Sequence, residues 1–293
     1  MIQTLKHAYY AAVSITCLLL NISIVIIPML IISIVKLLSP SQKLRFYCTS
    51  AAEYIADFWV SNNTLIVKTF SPTKIEFIGA DNVVMGGSYL IISNHKSWLD
   101  TLVLQLAFHN KVSFPKFFMK FQIFFVPFIG LACWVLEFPA MKRYSKEYLS
   151  KHPEKKGQDI AKTKEYCQKL SMRPTSIVNF VEGTRFNAVK AQKSQYDNLL
   201  NPKAGGIAVI LNSLSDRIDG VLNTTIVYDD SGYSLWDFMI RKIRNIKVNV
   251  EFIPIADIPF ADYFKSESGK IKFQNWINKL WDEKDRYISS AIK

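Results

Sequence analysis

The longest apolar run in the chain comes first. From Ala8 to Val35 there are 28 residues without a single Asp, Glu, Lys, Arg or His. Wholly helical, the run would reach about 42 Å against a hydrocarbon core of roughly 30 Å. That length fits one tilted span, or a hairpin or re-entrant pair bent near Pro28. A cleaved signal peptide fits poorly, because such cores run to only about 7–15 residues and no small-residue cleavage site follows. Residues 1–40 therefore read as a retained membrane anchor. Lys36, Lys43 and Arg45 follow the run while only Lys6 precedes it, so the positive-inside bias places the rest of the chain on the cytoplasmic side.

Beyond the anchor the pattern shortens. Residues 46–66 place Tyr54, Ile55, Phe58 and Trp59 at mixed helical spacing, a linking amphipathic helix within 41–73. Residues 74–293 then read as one catalytic unit. Lys74–Ile78 alternates charged and apolar residues as a half-buried strand does, and Tyr89–Ile92, after the Gly86-Gly87 turn, suits a buried strand. A helix follows over Ser97–Phe108. Phe114–Leu136 is aromatic and apolar but too interrupted, by Lys116, Lys120 and Pro127, for a membrane span. Tyr144–Leu170 reads as charged helix broken near Pro153 and Gly157, and Thr175–Val181 as another buried strand. Strands are expected at Asn223–Tyr228 and Lys247–Ile255, and a helix from Ile271 to Ile288 with Trp276, Ile277, Leu280, Trp281, Tyr287 and Ile288 on one stripe. Strands alternating with helices define an α/β core.

Charge narrows the partners. A net charge of +12 fits nucleic acid, an anionic membrane surface or phosphorylated substrates. Next to a membrane anchor the last two need no further assumption, and no nucleic-acid module is recognisable, so no nucleic acid is expected. Cys17, Cys48, Cys133 and Cys167 show no C-x-x-C spacing, which leaves them as apolar fillers without a zinc cage or disulfide framework. Neither phosphate-binding glycine loops nor a G-x-S-x-G elbow occurs.

Chemistry gathers at two strand ends. Asn94-His-Lys-Ser-Trp-Leu-Asp100 follows the strand at Tyr89–Ile92. On one ideal helix, five positions would set His95 and Asp100 about 140° apart. A turn at Asn94-His95, with a helix beginning near Ser97, instead lets Asp100 reach back to the imidazole. A generic imidazole titrates near 6.5 and can accept a proton at neutral pH, while a carboxylate on its other nitrogen fixes the tautomer. The same residues also fit a capping box, with Asp100 satisfying a helix N-terminus. The second constellation, Phe180-Val-Glu-Gly-Thr-Arg185, again ends an apolar strand, where open α/β sheets collect ligands. Gly183 permits close backbone approach, Thr184 can donate a hydrogen bond, and Arg185 presents a fork suited to phosphate. An ordinary turn with a Glu182–Arg185 surface pair is the plainer alternative.

Taken in order, these motifs resemble the lysophospholipid acyltransferase family, which includes the 1-acyl-sn-glycerol-3-phosphate acyltransferases. Asn94–Asp100 resembles its first block, Phe138-Pro-Ala-Met-Lys-Arg143 its second, after Lys120 and Pro127-Phe-Ile-Gly130, and Phe180–Arg185 its third. Leu200-Asn-Pro-Lys-Ala-Gly-Gly206 is similar to a segment of one branch. Leu222-Asn-Thr-Thr-Ile-Val-Tyr228 lacks the proline usual in the fourth block. The resemblance implies a mixed sheet flanked by helices, of the glycerolipid acyltransferase-like kind, with an N-terminal membrane-embedded helix or helical hairpin.

By the same resemblance His95 is the general base and Asp100 its orienting carboxylate. Glu182, Gly183, Thr184 and Arg185 hold the acceptor, with Lys120 and Arg143 available for its phosphate. Plainer roles exist for both: Lys120 as a cation snorkelling beside an aromatic face, Arg143 as the start of a solvated basic helix. The implied reaction moves a fatty acyl group from acyl-CoA or acyl carrier protein to a lysophospholipid hydroxyl, most simply that of 1-acyl-sn-glycerol-3-phosphate, with no metal and no other cofactor. The implied place is a phospholipid membrane, the bacterial inner membrane, with the catalytic unit facing the cytoplasm. A lipid or thioester hydrolase using the same pair on water, and a non-catalytic basic membrane-binding protein, are the competing readings.

Overall fold

The structure, a computed structural model, describes residues 2–81, 83–141, 146–152, 158–170, 174–229 and 232–292. Helix α1 (Ile2–Leu38) contains the apolar run and continues unbroken through Pro28. The chain reverses at Ser39–Ser41, where the Ser41 side chain caps α2 (Gln42–Phe70) by accepting from the Leu44 amide. The hairpin is thus made by α1 and α2 together, not by a bend at Pro28. Its register is pinned by polar groups: Asn21 donates to Asn63 Oδ1 at 2.9 Å and to the Trp59 carbonyl at 3.0 Å. Residues 8–38 are the one stretch long and apolar enough to cross a membrane among the described residues, and only 17% of their most apolar window is buried.

After the hairpin come β1 (Lys74–Ile78), β2 (Tyr89–Ser93), α3 (Leu99–Phe108), β3 (Pro115–Phe117) and β4 (Met119–Lys120). A 3-10 turn at Phe121–Phe125 leads to α4 (Ile129–Val135) and β5 (Ala140–Met141). Then follow α5 (Lys146–Lys151), α6 (Gln158–Leu170), β6 (Ser176–Phe180), α7 (Ala188–Ala191), α8 (Ala204–Leu214) and β7 (Gly220–Tyr228). Helix α9 (Leu235–Met239), β8 (Asn245–Ile253) and α10 (Glu267–Ile292) complete the chain.

Six strands form one mixed sheet in the order β1-β8-β7-β2-β6-β3. All neighbours are parallel except β7 and β8, which are antiparallel. Every residue of β2 and β7 is buried, as expected for central strands covered on both faces. One face packs against α6, α8 and α10 through Ile92, Ile177, Ile210 and Trp281, the other against α3 through Ile91, Leu104 and Val178. This is the mixed α/β architecture with flanking helices expected from the sequence. Because β2, β3, β6 and β7 run in parallel, their carboxyl ends share one sheet edge, and everything after Ser93, Phe117 and Phe180 is delivered there.

Charged pairs moor the hairpin to the sheet domain. Lys36, counted above as a flanking cation, is only 3% exposed. Its ammonium meets Glu137 Oε1 at 2.8 Å, Thr49 Oγ1 at 2.7 Å and the Val135 carbonyl at 3.0 Å, so it is not a free charge at the end of the apolar run. Lys116 is fully buried against Glu53 of α2 at 2.7 Å, which explains a lysine inside an aromatic segment.

Candidate active site

The geometry begins at Asn94. Strand β2 pairs with β7 as far as Ser93 opposite Thr224. There the Asn94 side chain takes over from the backbone: its Nδ2 donates to the Ile226 carbonyl at 3.0 Å and its Oδ1 accepts the Ile226 amide at 2.9 Å. An amide side chain that imitates one more ladder step frees the main chain to turn out of the sheet, and His95 sits on that turn.

Asp100 lies in the first turn of α3 and is 1% exposed. Its Oδ2 is 2.8 Å from His95 Nδ1 and accepts the amides of Lys96 at 2.7 Å and Ser97 at 2.8 Å. Its Oδ1 accepts the Tyr228 hydroxyl at 2.5 Å. One carboxylate thus both orders the turn, through the Lys96 and Ser97 amides, and orients the ring. The imidazole stacks on Phe180, centroids 3.9 Å apart and planes 13° from parallel, and its edge lines a cavity of about 630 Å³. With Nδ1 engaged by Asp100, Nε2 is the nitrogen left for a reactant.

Tyr228, the last residue of β7, had no signal in the sequence, because only the register of β7 against β2 brings it to Asp100. Burial pushes its hydroxyl well above the usual range, and the Asp100 charge pushes the same way, so it remains a donor. Tyr228→Phe removes one charge-assisted bond from Asp100 and is expected to lower kcat about tenfold with KM little changed, since such bonds contribute about 1.5–3 kcal/mol. Steady-state kinetics of the variant at saturating substrate checks this.

The second motif closes the other side. Val181 donates to the Ser93 carbonyl at 3.3 Å and Phe186 to the His95 carbonyl at 2.8 Å, stitching the two loops together. Gly183, at φ 72°, makes the turn that side chains disfavour. Gly183, Thr184 and Arg185 all line the cavity, as does Lys120. The Arg185 guanidinium lies 4.7 Å over the Trp98 ring. Lys190 of α7 donates to Thr184 Oγ1 at 2.6 Å and, with Lys96, adds to the cationic lining. Neither lysine was singled out from the sequence, where each sits among many others.

Glu182 behaves differently from its neighbours. It is 2% exposed and does not line the cavity. Its Oε1 accepts the His95 amide at 3.3 Å, and the Leu200 backbone also acts on the carboxylate. Burial pushes its carboxyl up to about 8. The surface pair with Arg185 does not form, and direct contact with an acceptor is not what this position offers; Glu182 supports the His95 turn from below. Arg143 lies outside the described residues.

The described lining is of two chemical kinds. Lys96, Lys120, Arg185 and Lys190 are cationic, and none of the described lining residues is acidic. Phe117, Phe118, Ile123, Ile129 and Phe138 are apolar. The Pro127–Gly130 segment shapes the cavity wall: a Cβ on Gly130 would collide with the Phe124 carbonyl. Cys133 also lines it, with its thiol pushed up to about 11 by burial, which leaves almost no thiolate to act as nucleophile. Among the described residues no group of three or more His, Cys, Asp and Glu side chains is placed to hold a metal.

A histidine–carboxylate pair at the carboxyl edge of an α/β sheet, beside a cavity lined by cations and by apolar side chains, is chemically able to transfer a proton next to an amphipathic molecule. A family model described as Acyltransferase matches residues 74–228, and the chain belongs to that family. It is 25% identical over 142 residues to a 2-acyl-1-lysophosphatidylinositol acyltransferase of Saccharomyces cerevisiae, covering 40% of this chain and 34% of the relative. It is 24% identical over 227 residues to a probable 1-acyl-sn-glycerol-3-phosphate acyltransferase of Arabidopsis thaliana, covering 73% and 58%. The matches thus span about a third and somewhat over half of the length of these relatives. The crystal structure of the 1-acyl-sn-glycerophosphate acyltransferase PlsC from Thermotoga maritima superposes with a TM-score of 0.51 at 14% identity, covering 97% of both chains, and shares the fold.

Proposed function

We propose that the protein esterifies the free hydroxyl of a lysophospholipid, 1-acyl-sn-glycerol-3-phosphate before others, with the acyl group of a thioester carried by coenzyme A or acyl carrier protein. The observation that carries this reading is the position of the His95 ring: held by Asp100 and Phe180, it lines one cavity together with both cationic and apolar side chains. A lysophospholipid combines the matching chemistries, phosphate at one end and chain at the other. In the proposed reaction His95 Nε2 takes the proton of the acceptor hydroxyl as its oxygen attacks the thioester carbonyl. The C–S bond then breaks, and the imidazolium returns the proton to the departing thiolate. Arg185, Thr184 and Lys120 hold the acceptor phosphate, and Arg143 is proposed for the same task. No covalent acyl-enzyme is needed, in keeping with the protonated thiol of Cys133.

Residues 1–40 serve as membrane anchor, with α2 joining them to a catalytic unit over 74–293 that faces the cytoplasm of a bacterial inner membrane. Ile24, Ile27 and Leu38 on α1, and Phe125 and Phe128 beside the cavity, are more than half exposed, an apolar surface that supports contact with lipid. Membranes containing the protein, supplied with labelled acyl-CoA or acyl carrier protein and a panel of lysolipids, test the assignment. The expected result is labelled phosphatidic acid as the dominant product. Incorporation into lysophosphatidylinositol or lysophosphatidylglycerol with none into lysophosphatidic acid would reassign the headgroup, and incorporation into none would sink the proposal.

A further inference from the structure

The buried face of α10 repeats at helical spacing: Phe273, Ile277, Leu280, Trp281, Lys284, Ile288. Five of these are apolar and the sixth is a lysine, 2% exposed. A buried ammonium opposes folding unless the surroundings compensate it, so its partners define what it is for. Its Nζ donates to the Thr224 carbonyl at 2.6 Å and approaches Thr225 Oγ1 at 3.2 Å. Both belong to the polar Asn223-Thr-Thr225 run that interrupts the otherwise apolar β7, where the resembling family usually has a proline-containing strand.

That stretch of β7 is next to the site. Thr224 pairs with Ser93, and two residues on, Ile226 is the backbone group clamped by Asn94. Two further on, Tyr228 holds Asp100. Glu182, beneath the His95 amide, is one of two carboxylates whose charge acts on Lys284, the other being Glu251. The mutual effect favours the charged form of each, against the burial that pushes the lysine down to about 7 and the carboxyl up to about 8.

We propose that Lys284 is a positioning residue for acyl transfer: anchored on Thr224 and Thr225, it fixes the stretch of β7 whose Ile226 and Tyr228 hold Asn94 and Asp100, so that the His95 turn keeps its shape. The inference rests on His95 being the base. It touches no substrate, so its loss falls on the chemical step and not on binding.

The test uses the full-length membrane protein. Lys284→Gln keeps a donor for Thr224 and removes the charge; Lys284→Met removes both. Losing a buried charge-assisted bond corresponds to about tenfold, so kcat is expected to fall about fivefold in Lys284→Gln and tenfold or more in Lys284→Met, with both KM values within twofold. Combining Lys284→Gln with Tyr228→Phe should cost less than the product of the single losses, because both act through β7 on the Asp100 carboxylate and the His95 turn. Thermal unfolding of each variant accompanies the kinetics, and Lys284→Gln alone decides if Lys284→Met does not fold. A kcat within twofold of the parent, a loss carried by KM, or multiplicative double-variant losses would overturn the proposal. Failure of the parent protein to acylate any lysolipid would instead remove the reading on which it rests.

Discussion

Replacing His95 by Ala is expected to lower acyl incorporation by about 10³-fold or more, since a positioned general base contributes typically 10²–10⁴ and His95 is the one histidine among the described residues that line the cavity. The fold should survive. The ring is held by Asp100 and Phe180 at the sheet edge, not within the core, and its side chain remains 16% exposed. The variant should therefore appear in membranes at near-parental levels, with thermal unfolding lowered only by the loss of about 1–2 kcal/mol that one bond to Asp100 and the Phe180 stack correspond to. Radiolabelled acyl transfer per unit of membrane protein measures the first expectation, and immunodetection after carbonate washing the second. Activity within tenfold of the parent would show that the imidazole is not the base.

The second large effect is expected from Asp100→Asn. Asp100 carries four bonds at once: His95 Nδ1, the Lys96 and Ser97 amides, and the Tyr228 hydroxyl. The amide oxygen of Asn can keep the Oδ2 position and its three donors. Its NH₂ then faces the Tyr228 oxygen, which can accept instead of donate. The backbone of the turn is thus largely preserved while the negative charge beside the ring is lost. The imidazolium that forms as the hydroxyl proton leaves has no counter-charge, and a fall in kcat of about 10²–10⁴ is expected. Asp100→Ala should be worse for stability as well, because it strands two buried amides; about 1–3 kcal/mol per unsatisfied group separates the two variants in a thermal melt. Equal Tm values for the two, or an Asn variant with parental kcat, would contradict this account of the carboxylate.

That the two motifs meet was legible in the sequence because both stand at the ends of apolar strands, and parallel strands deliver their ends to one edge. Ile91 and Val178, neighbours in register, are five residues or fewer from His95 and Glu182. The contribution of Tyr228 was not legible, since pairing of β7 with β2 is a long-range choice that local pattern does not encode. The same holds for Lys284: a lysine on a charged C-terminal helix reads as solvated until α10 is docked. In the hairpin the apolar run was plain but its geometry was not. The pattern allowed one tilted span or a bend near Pro28; the helix runs unbroken through Pro28 and the chain turns at Ser39–Ser41, where Ser41 caps the returning helix. Lys36 looked like a flanking charge, but folding buries it on Glu137 and Thr49, residues 101 and 13 positions away. The short strands β3, β4 and β5, two or three residues each, are too brief for any periodicity to register.

The most direct measurement is the fate of the acyl group when purified protein in detergent meets a labelled acyl thioester with and without 1-acyl-sn-glycerol-3-phosphate. Thiol release should be negligible without the lysolipid and, with it, should match ester formation one for one. Free fatty acid appearing at the same rate in both conditions would mean that His95 activates water, and the protein would then be a hydrolase and not a transferase.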